Sequence, residues 1–177
     1  MMKRFMMMAG LLMLCHFASA YKQKEVFVYS GSMNKDVPAT VITPDGYWKG
    51  RNYPVVYILH GYSDNHIDRW THDGHLGRLA DRYDVIVVVP DGGFSSWYFD
   101  SPVMPEYKYE TFVSKELVAF MDKRYKTLAD KSEGLLQVTP WEDTEPFMWP
   151  SGIRMCSALP AACRAVWTSV LSLRTGT

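Results

Sequence analysis

The sequence has no excess of charge of either sign, because 19 Lys and Arg residues balance 19 Asp and Glu residues in a chain of 177 residues. A strongly basic surface is therefore not expected, and we predict no nucleic-acid partner. Cysteine is also scarce. Of the three cysteines, Cys156 and Cys163 lie beyond the first 20 residues, so a single disulfide is the most that they can form in an oxidising compartment.

The chain also lacks the spacing of a histidine metal site. His66, His72 and His75 occur close to several aspartates, but the chain contains no His-x-x-x-His pair that would place two ligands on one face of a helix. We expect these histidines to be surface side chains of a loop. The sequence therefore predicts no metal site.

No apolar run near the start is long enough to span a bilayer. Lys3 and Arg4 precede the apolar residues 5–17, and the small residues A-S-A follow at 18–20, which is the order of a secretory signal peptide. We predict that residues 1–20 are a signal peptide cleaved after Ala20. The mature chain would then be secreted or periplasmic and would have no stable membrane anchor.

The chain does contain a series of apolar, β-branched runs. Residues 55–59 and 85–89 are apolar at every position, as expected of parallel strands that helices cover on both faces. Residues 76–83 lie between them and carry apolar side chains at helical spacing, so the three segments predict a right-handed βαβ unit. Two early strands at 25–29 and 37–43 and an amphipathic helix at 109–125 complete the prediction. Pro38 suits an edge strand, where no ladder hydrogen bond is lost, and Glu116 is expected on the solvent-exposed surface of the helix. The fold class is therefore α/β.

The first of these apolar strands ends at His60-Gly61. A glycine turn after a central strand lets the backbone come close to a substrate and can lend an N–H group to an oxyanion hole. A buried strand can equally end in His-Gly with the histidine bonded to a nearby carbonyl, so the pair alone decides nothing. Residues 93–105 form an aromatic loop after the second strand, which is either part of a ligand cleft or a packed surface loop.

Four motifs occur in an order that resembles a known family. They are H-G-Y at residues 60–62, V-V-V-P-D-G-G at 87–93, S-W-Y-F-D-S-P at 96–102 and Y-E-T-F-V-S-K-E-L at 109–117. Together they resemble the putative esterase family, which groups esterase D, tributyrin and feruloyl esterases and the antigen 85 acyltransferases. The resemblance extends from about residue 37 to about residue 127, and it implies an α/β-hydrolase fold.

The resemblance also implies a function. It indicates a serine hydrolase that acts on carboxylic esters of short-chain acyl or feruloyl type and needs no cofactor. Gly61 and Tyr62 would lie at the oxyanion hole, and His60, Trp97 and Asp100 would lie near the substrate cleft. The expected partner is a small-molecule or polysaccharide-linked ester. The residues present leave open whether water or a sugar hydroxyl accepts the acyl group, as in the antigen 85 branch.

The next feature of the family is missing from this sequence. G-x-S-x-G, the nucleophile elbow, does not occur anywhere in the chain. Residues 135–177 show neither a clear period nor a likeness to the family. The reading frame can be shifted so that each codon takes the last base of one residue's codon and the first two bases of the next. From Gln137 onward, the shifted codons permit G-H-S-M-G where the elbow belongs. Three of the shifted residues do not depend on which codons the gene uses. They are the final glycine, which spans Trp141 and Glu142, and a valine and an alanine that span residues 148–150.

We therefore hypothesise that the chain is an out-of-frame translation from about Glu133 onward. Residues 21–134 would then be the N-terminal part of a truncated α/β-hydrolase domain, and 135–177 an aberrant tail. No catalytic serine, acid or base would be present, and the chain would be inactive. The alternative is a genuine, divergent C-terminal segment.

A function of a different class also stays open. Trp48, Trp70 and Trp97 are aromatic side chains of the kind that stack on sugars, which would suit a non-catalytic carbohydrate- or cell-surface-binding module. The three tryptophans are scattered among loops, however, and form no evident platform in the sequence.

Overall fold

The computed structural model describes residues 21–48, 50–61, 65–66 and 69–128, with residues 69 and 70 described by their backbone alone. The predicted signal peptide at residues 1–20 and the predicted tail at 135–177 lie outside these ranges, so both stay predictions. Within the described ranges, no helix is both long enough and apolar enough to cross a membrane.

A four-stranded sheet forms the centre of the described chain. Its strands are β1 (Lys22–Ser30), β2 (Lys35–Thr43), β3 (Val55–Tyr57) and β4 (Ile86–Pro90), in the order β1-β2-β4-β3. β1 and β2 form an antiparallel hairpin, β2 and β4 are antiparallel, and β3 and β4 are parallel. The four strands predicted from apolar runs are therefore present, and the sheet is mixed.

Pro38 lies in β2, which is an interior strand and not the edge that the proline suggested. The Pro38 carbonyl accepts a hydrogen bond of 2.9 Å from the Asp91 N–H. Asp91 follows the last residue of β4, so Pro38 lies opposite a position at which β4 has already ended. The missing N–H group of proline therefore removes no bond from the β2–β4 ladder.

The described residues between β3 and β4 include two helices. α1 spans Arg69–His72 and α2 spans His75–Tyr83. α2 buries Leu76, Leu79 and Ala80, which is the face that the sequence predicted. Gly77 lets the ring of Tyr21 pack on this helix, since an added Cβ would lie 2.3 Å from Tyr21 Cζ. β3, α2 and β4 thus form the predicted parallel βαβ unit.

Apolar side chains form a core on each face of the sheet. Strand residues that alternate along the chain point to opposite faces, so β2, β3 and β4 contribute to both cores, whereas β1 contributes to one. One core joins the sheet to the C-terminal helical region and includes Val28, Val41, Tyr57, Val88, Phe112 and Leu117. The other joins the sheet to α2 and includes Ile42, Val56, Val87, Leu76 and Leu79.

The predicted amphipathic helix at 109–125 is interrupted by a π-helical turn. It consists of α3 (Tyr109–Thr111), the π-helical turn Phe112–Glu116 and α4 (Leu117–Arg124). Glu116 was expected on the solvent surface, but it is half-buried and reaches the β1–β2 turn. Its carboxylate accepts hydrogen bonds from the Ser30 hydroxyl at 2.5 Å and from the Ser32 N–H at 2.8 Å. The π-helical turn therefore carries the residue that fastens this helix to the hairpin.

The described chain ends beside the start of β3. Tyr53 and Thr127 form a parallel bridge, in which the Tyr53 N–H donates to the Lys126 carbonyl at 2.8 Å and the Leu128 N–H donates to the Tyr53 carbonyl at 2.9 Å. The next carbonyl, that of Pro54, accepts from the Ile86 N–H of β4. Successive residues of a strand bond in opposite directions, so residues 126–128 lie on the side of β3 that faces away from β4.

Candidate functional site

The site is built where the parallel strands β3 and β4 end. His60 and Gly61 follow β3, and the turn Asp91-Gly92-Gly93 follows β4. Carboxyl ends of neighbouring parallel strands lie at the same edge of a sheet, and this edge is where open α/β sheets bind ligands. The structure therefore brings together two of the motifs that the sequence analysis singled out.

His60 connects these two turns through its ring. The Gly92 N–H donates to His60 Nε2 at 2.7 Å, so Nε2 must be an unprotonated acceptor. The ring proton then resides on Nδ1, which lies 2.9 Å from the Gly61 carbonyl oxygen and donates to it. His60 is consequently a neutral, buried imidazole that binds backbone groups with both nitrogens. This geometry makes it a brace between the turns, and its predicted place near the substrate cleft stays a prediction.

The predicted oxyanion-hole residues are only partly described. Gly61 is half-buried and follows His60 directly, whereas Tyr62 lies outside the described residues. The Gly61 carbonyl accepts a hydrogen bond from His60. The assignment of Gly61 and Tyr62 to an oxyanion hole stays a prediction.

The turn after β4 requires its glycines. An added Cβ at Gly92 would lie 2.3 Å from Tyr98 Cζ, because the Tyr98 ring packs directly on this glycine. Gly93 has a φ of 67°, which is a conformation that L-residues rarely adopt. The carboxylate of Asp91 accepts a hydrogen bond of 2.7 Å from the Gly93 N–H. These features make the turn a fixed support for His60.

Trp97 and Tyr98 adopt backbone conformations that are unusual for bulky residues. Their φ angles are 51° and 56°, and each such residue costs about 1–3 kcal/mol unless its surroundings compensate. Ser96 compensates in part, since its hydroxyl donates to the Gly92 carbonyl and accepts from the Tyr98 N–H at 3.0 Å. The Tyr98 side chain is buried, and the centroid of its ring lies 5.7 Å from that of the His60 ring. Trp97, in contrast, is 54% exposed.

Asp100 binds the start of the helix that follows. Its carboxylate accepts hydrogen bonds from the Thr111 N–H at 3.0 Å and from the Thr111 hydroxyl at 2.6 Å. Thr111 is in the first turn of α3, where backbone N–H groups have no partner within the helix. Asp100 therefore caps α3 from the aromatic loop. A contact between Asp100 and an ester substrate stays a prediction.

His66 is not the surface side chain that the sequence suggested. It is buried, and its Nε2 lies 2.8 Å from Glu25 Oε1 while its Nδ1 lies 3.2 Å from Asp91 Oδ2. His72 is exposed, and His75 lies 3.4 Å from Asp73. In the described part of the chain, no group of three or more His, Cys, Asp or Glu side chains has an arrangement that suits a metal ion.

Sequence reasoning did not identify several of these residues. Ser96, Tyr98 and Gly92 belong to motifs that were singled out, but no spacing rule indicates that they contact one another. The contact between Glu25 and His66 joins residues 41 positions apart, so it has no local signal at all. The packing of one loop against another determines each of these contacts.

Several known proteins are similar to this chain in sequence or in fold. The sequence profile of the family described as "Putative esterase" matches residues 30–136. Esterase Rv1288 of Mycobacterium tuberculosis is 31% identical over 93 residues, which are 51% of this chain and 20% of that protein. A solved ferulic acid esterase is 28% identical with a TM-score of 0.54, covering 66% of this chain and 51% of that one. An S-formylglutathione hydrolase from Agrobacterium tumefaciens has a TM-score of 0.58 at 20% identity, covering 69% of this chain and 50% of that one.

The chain spans about a fifth of the length of this mycobacterial relative and about half of each of the two solved structures. The similar structures have the α/β-hydrolase fold, and the sheet described here is a partial, mixed sheet of that kind. The fold class predicted from the sequence is therefore confirmed. The profile match includes all four sequence motifs, and the chain accordingly belongs to the "Putative esterase" family.

Proposed function

We propose that this chain supplies the oxyanion side of a secreted serine carboxylic-ester hydrolase. A serine activated by a histidine–carboxylate pair would attack the ester carbonyl, and the tetrahedral oxyanion would accept hydrogen bonds from backbone N–H groups at Tyr62 and after the serine. The substrate would be a small-molecule or polysaccharide-linked ester. No cofactor enters this mechanism.

One observation carries the proposal: the turn after β3 is held in place by the turn after β4. His60 contacts both Gly61 and Gly92 through its two ring nitrogens. Stabilising an oxyanion is most effective when the donors are already oriented before the charge develops. A brace made of two backbone hydrogen bonds provides that orientation, and it uses the neutral ring of His60 for support instead of for proton transfer.

The names of similar proteins support the class of substrate. Esterase Rv1288 and the ferulic acid esterase are both named for ester hydrolysis. Trp97 lies in the loop that follows the Asp91–Gly93 turn and is partly exposed, and we propose that its ring contacts a flat, aromatic acyl group. Short-chain acyl and feruloyl esters are therefore the substrates to test first.

We further propose that this polypeptide itself is inactive and that its reading frame shifts at about Glu133. Neither buried histidine of the described site has a ring nitrogen left to activate a serine, since both nitrogens of His60 contact backbone groups and both nitrogens of His66 contact carboxylates. The nucleophile elbow and its partners would be encoded in the shifted frame. Residues 1–20 would direct export.

Two genes test this proposal. One encodes the chain as written, and the other encodes the same chain with the frame shifted by one base at about Glu133, so that G-H-S-M-G is read across Gln137 to Glu142. We expect p-nitrophenyl acetate hydrolysis from the second protein only, and its loss when the serine of G-H-S-M-G is changed to alanine. Serine-dependent turnover by the chain as written would contradict the proposed inactivity. Inactivity of a folded, frame-shifted protein on acetyl and feruloyl esters would contradict the esterase assignment.

The exposure of two tryptophans favours sugar binding as a second candidate. Trp48 is 71% exposed and Trp97 is 54% exposed. Trp48, however, packs edge-on against Tyr47, which contacts Tyr53 at the start of β3, whereas Trp97 follows the end of β4. The two rings therefore lie at opposite ends of parallel strands and do not form one platform. Retention of the purified chain on immobilised xylan, abolished by Trp97→Ala alone, would favour a sugar-binding role at the cleft end.

Acyl transfer to a sugar is the third candidate and uses the same site. The acceptor decides between hydrolysis and transfer, so the frame-shifted protein should be assayed with and without a sugar acceptor. Formation of an acylated sugar at the expense of free acid would identify a transferase.

A further inference from the structure

The amino ends of the two parallel strands carry a second group of exposed side chains, away from the candidate site. Trp48 and Arg51 precede β3, and Asp84 precedes β4. The candidate site follows the carboxyl ends of the same strands, and the five residues of β4 separate the two ends by about 16 Å. This surface is therefore distinct from the candidate site and shares no residue with it.

Trp48 presents an indole ring to solvent on this surface. It is 71% exposed, although it packs edge-to-face against Tyr47 with the ring centroids 5.0 Å apart. Tyr47 is buried and continues the contact to the buried Tyr53, whose ring centroid lies 5.3 Å away. The exposed indole thus rests on a pair of buried rings.

Hydrogen bonds hold these two supporting rings in place. The Tyr47 hydroxyl accepts from the Lys126 N–H at 2.8 Å, and the Tyr53 hydroxyl donates to the Gly46 carbonyl at 3.0 Å. A binding group whose support is already fixed loses less conformational entropy when a ligand arrives. Trp48 is therefore preorganised for contact with a ligand.

Arg51 and Asp84 place polar groups next to the indole. Arg51 follows Trp48 by three positions, so their Cα atoms lie at most about 11 Å apart. The Arg51 guanidinium lies over the Tyr53 ring, 4.9 Å from its centroid, and forms an ion pair with the Asp84 carboxylate. The side chains of Arg51 and Asp84 are 54% and 50% exposed. The row of buried tyrosine rings thus connects the indole to an ion pair that solvent can reach.

The backbone also fixes the acidic member of this ion pair. Asp84 has a φ of 55°, and its N–H bonds to the Ala80 carbonyl at the end of α2. This is the left-handed conformation that closes many helices at their C-terminal end. It determines the point from which the carboxylate reaches Arg51, so the ion pair is anchored at both of its members.

The chemistry of this surface indicates an uncharged ligand that is rich in hydroxyl groups. The guanidinium offers donors and the carboxylate offers acceptors, and together they have more hydrogen-bonding capacity than their mutual contact uses. One member of the ion pair would repel a charged ligand of either sign, and a purely apolar ligand would desolvate both members without bonding to them. A neutral sugar has hydroxyl groups for the ion pair and a face of C–H groups that can pack on the indole.

We propose that Trp48, Arg51 and Asp84 bind a neutral polysaccharide chain, with the indole stacked on one sugar ring and the ion pair hydrogen-bonded to hydroxyl groups. A polymer held at this end leaves the candidate ester site open, so a polymer-linked ester would gain from binding at both ends of the strands. The sugar contacts themselves do not depend on the proposed function. Only the choice of a xylan as the probe rests on it.

Calorimetric titration of the full chain with a neutral, soluble arabinoxylan tests the proposal without an ester. The parent should bind, and Trp48→Ala should raise the Kd roughly tenfold or more, because aromatic anchors supply much of the affinity of a binding site. Trp48→Phe keeps an aromatic face and should recover part of that loss. Arg51→Gln removes the guanidinium and should raise the Kd roughly threefold or more. Phe27→Ala removes an aromatic side chain that is 62% exposed on β1, and this matched control should bind like the parent.

Several results would overturn the proposal. They are a parent that does not bind arabinoxylan, a parent-like Kd in Trp48→Ala or in Arg51→Gln, and an equal loss of affinity in Phe27→Ala. A loss in Trp97→Ala that Trp48→Ala does not show would also overturn it, since the sugar would then bind at the cleft end.

A spectroscopic measurement covers the case in which Trp48→Ala does not fold. The indole N–H resonance of Trp48, identified by its absence from the spectrum of Trp48→Phe, should shift when arabinoxylan is added to the parent. An unshifted resonance would overturn the proposal. A folded, frame-shifted protein without esterase activity, beside a parent that binds arabinoxylan through Trp48, would contradict the proposed function and leave the sugar site standing.

Discussion

His60 and Gly92 are joined by a hydrogen bond of 2.7 Å, in which the Gly92 N–H donates to His60 Nε2. The bond connects the turns that follow the two parallel strands β3 and β4. Since His60 also donates to the Gly61 carbonyl, a single neutral imidazole determines how the proposed oxyanion turn is placed relative to the rest of the sheet.

Replacing His60 should therefore destabilise the protein. In His60→Ala the buried Gly92 N–H loses its acceptor, which typically costs about 1–3 kcal/mol. We expect the free energy of unfolding, measured by urea denaturation, to fall by at least that amount. His72→Ala removes an exposed histidine and should change it by less than about 0.5 kcal/mol. Equal stability of the two variants would show that His60 is no brace.

The packing of Tyr98 on Gly92 predicts a coupled pair of substitutions. Gly92→Ala would place a Cβ 2.3 Å from Tyr98 Cζ, and such overpacking typically costs about 1–3 kcal/mol. Adding Tyr98→Ala should remove most of the cost of Gly92→Ala, so a double-mutant cycle should show strong coupling. Gly31→Ala, whose Cβ would meet Glu116 Oε1 at an ordinary 3.6 Å, is the control. Additive effects of the two substitutions would contradict the proposed contact.

The backbone of Trp97 predicts a substitution that increases stability. Trp97 has a φ of 51°, and a left-handed conformation costs an L-residue roughly 1–2 kcal/mol. Trp97→Gly removes that strain but adds about 0.5–1 kcal/mol of chain entropy to the unfolded state, so a net gain of about 0.5 kcal/mol is expected in thermal unfolding. Trp48 is also exposed and has no positive φ, so Trp48→Gly should give no gain. A loss of stability in Trp97→Gly would mean that contacts of the ring outweigh the strain.

The interaction between Asp100 and Thr111 predicts a loss of helix stability. Asp100→Ala removes two acceptors from the start of α3, and loss of a helix cap typically costs about 0.5–2 kcal/mol. Asp36→Ala removes an exposed carboxylate and is the matched control. Hydrogen exchange at residues 109–113 should increase in Asp100→Ala alone. If the ester assignment is right but Asp100 only caps the helix, the frame-shifted enzyme with Asp100→Ala should keep its KM.

The hydroxyl of Tyr109 predicts a change in stability at alkaline pH. Burial, with a contribution from the charge of Asp91, raises the pKa of Tyr109 to about 12, against about 10 for an ordinary tyrosine. The stability that the neutral hydroxyl contributes is therefore complete below about pH 10 and is lost as the pH rises through about 12. Between about pH 9.5 and 11.5 the free energy of unfolding of Tyr109→Phe should fall less steeply than that of the parent. The exposed Tyr29 provides the control, Tyr29→Phe, which should keep the slope of the parent.

Much of the architecture was predictable because it depends on local patterns. The apolar runs at 55–59 and 85–89 indicated buried parallel strands, and the spacing between Leu76 and Tyr83 indicated the helix that joins them; all three elements are present. The four motifs indicated the family that the profile match shows. Pro38 was misinterpreted because a proline's place in a sheet depends on where the neighbouring strand ends. Glu116 was misinterpreted because helical periodicity does not foresee a π-helical turn.

The strands, the βαβ unit and the membership of the family follow from the order of amino acids, since hydrophobic periodicity and the order of motifs are properties of neighbouring residues. The neutral ring of His60, the capping of a helix by Asp100 and the burial of His66 between Glu25 and Asp91 follow from the three-dimensional packing of the chain. Each of these facts depends on which groups meet across strands that are far apart in the chain. The protonation and hydrogen bonding of a side chain follow from its partners, and those partners are chosen by the packing of the whole sheet.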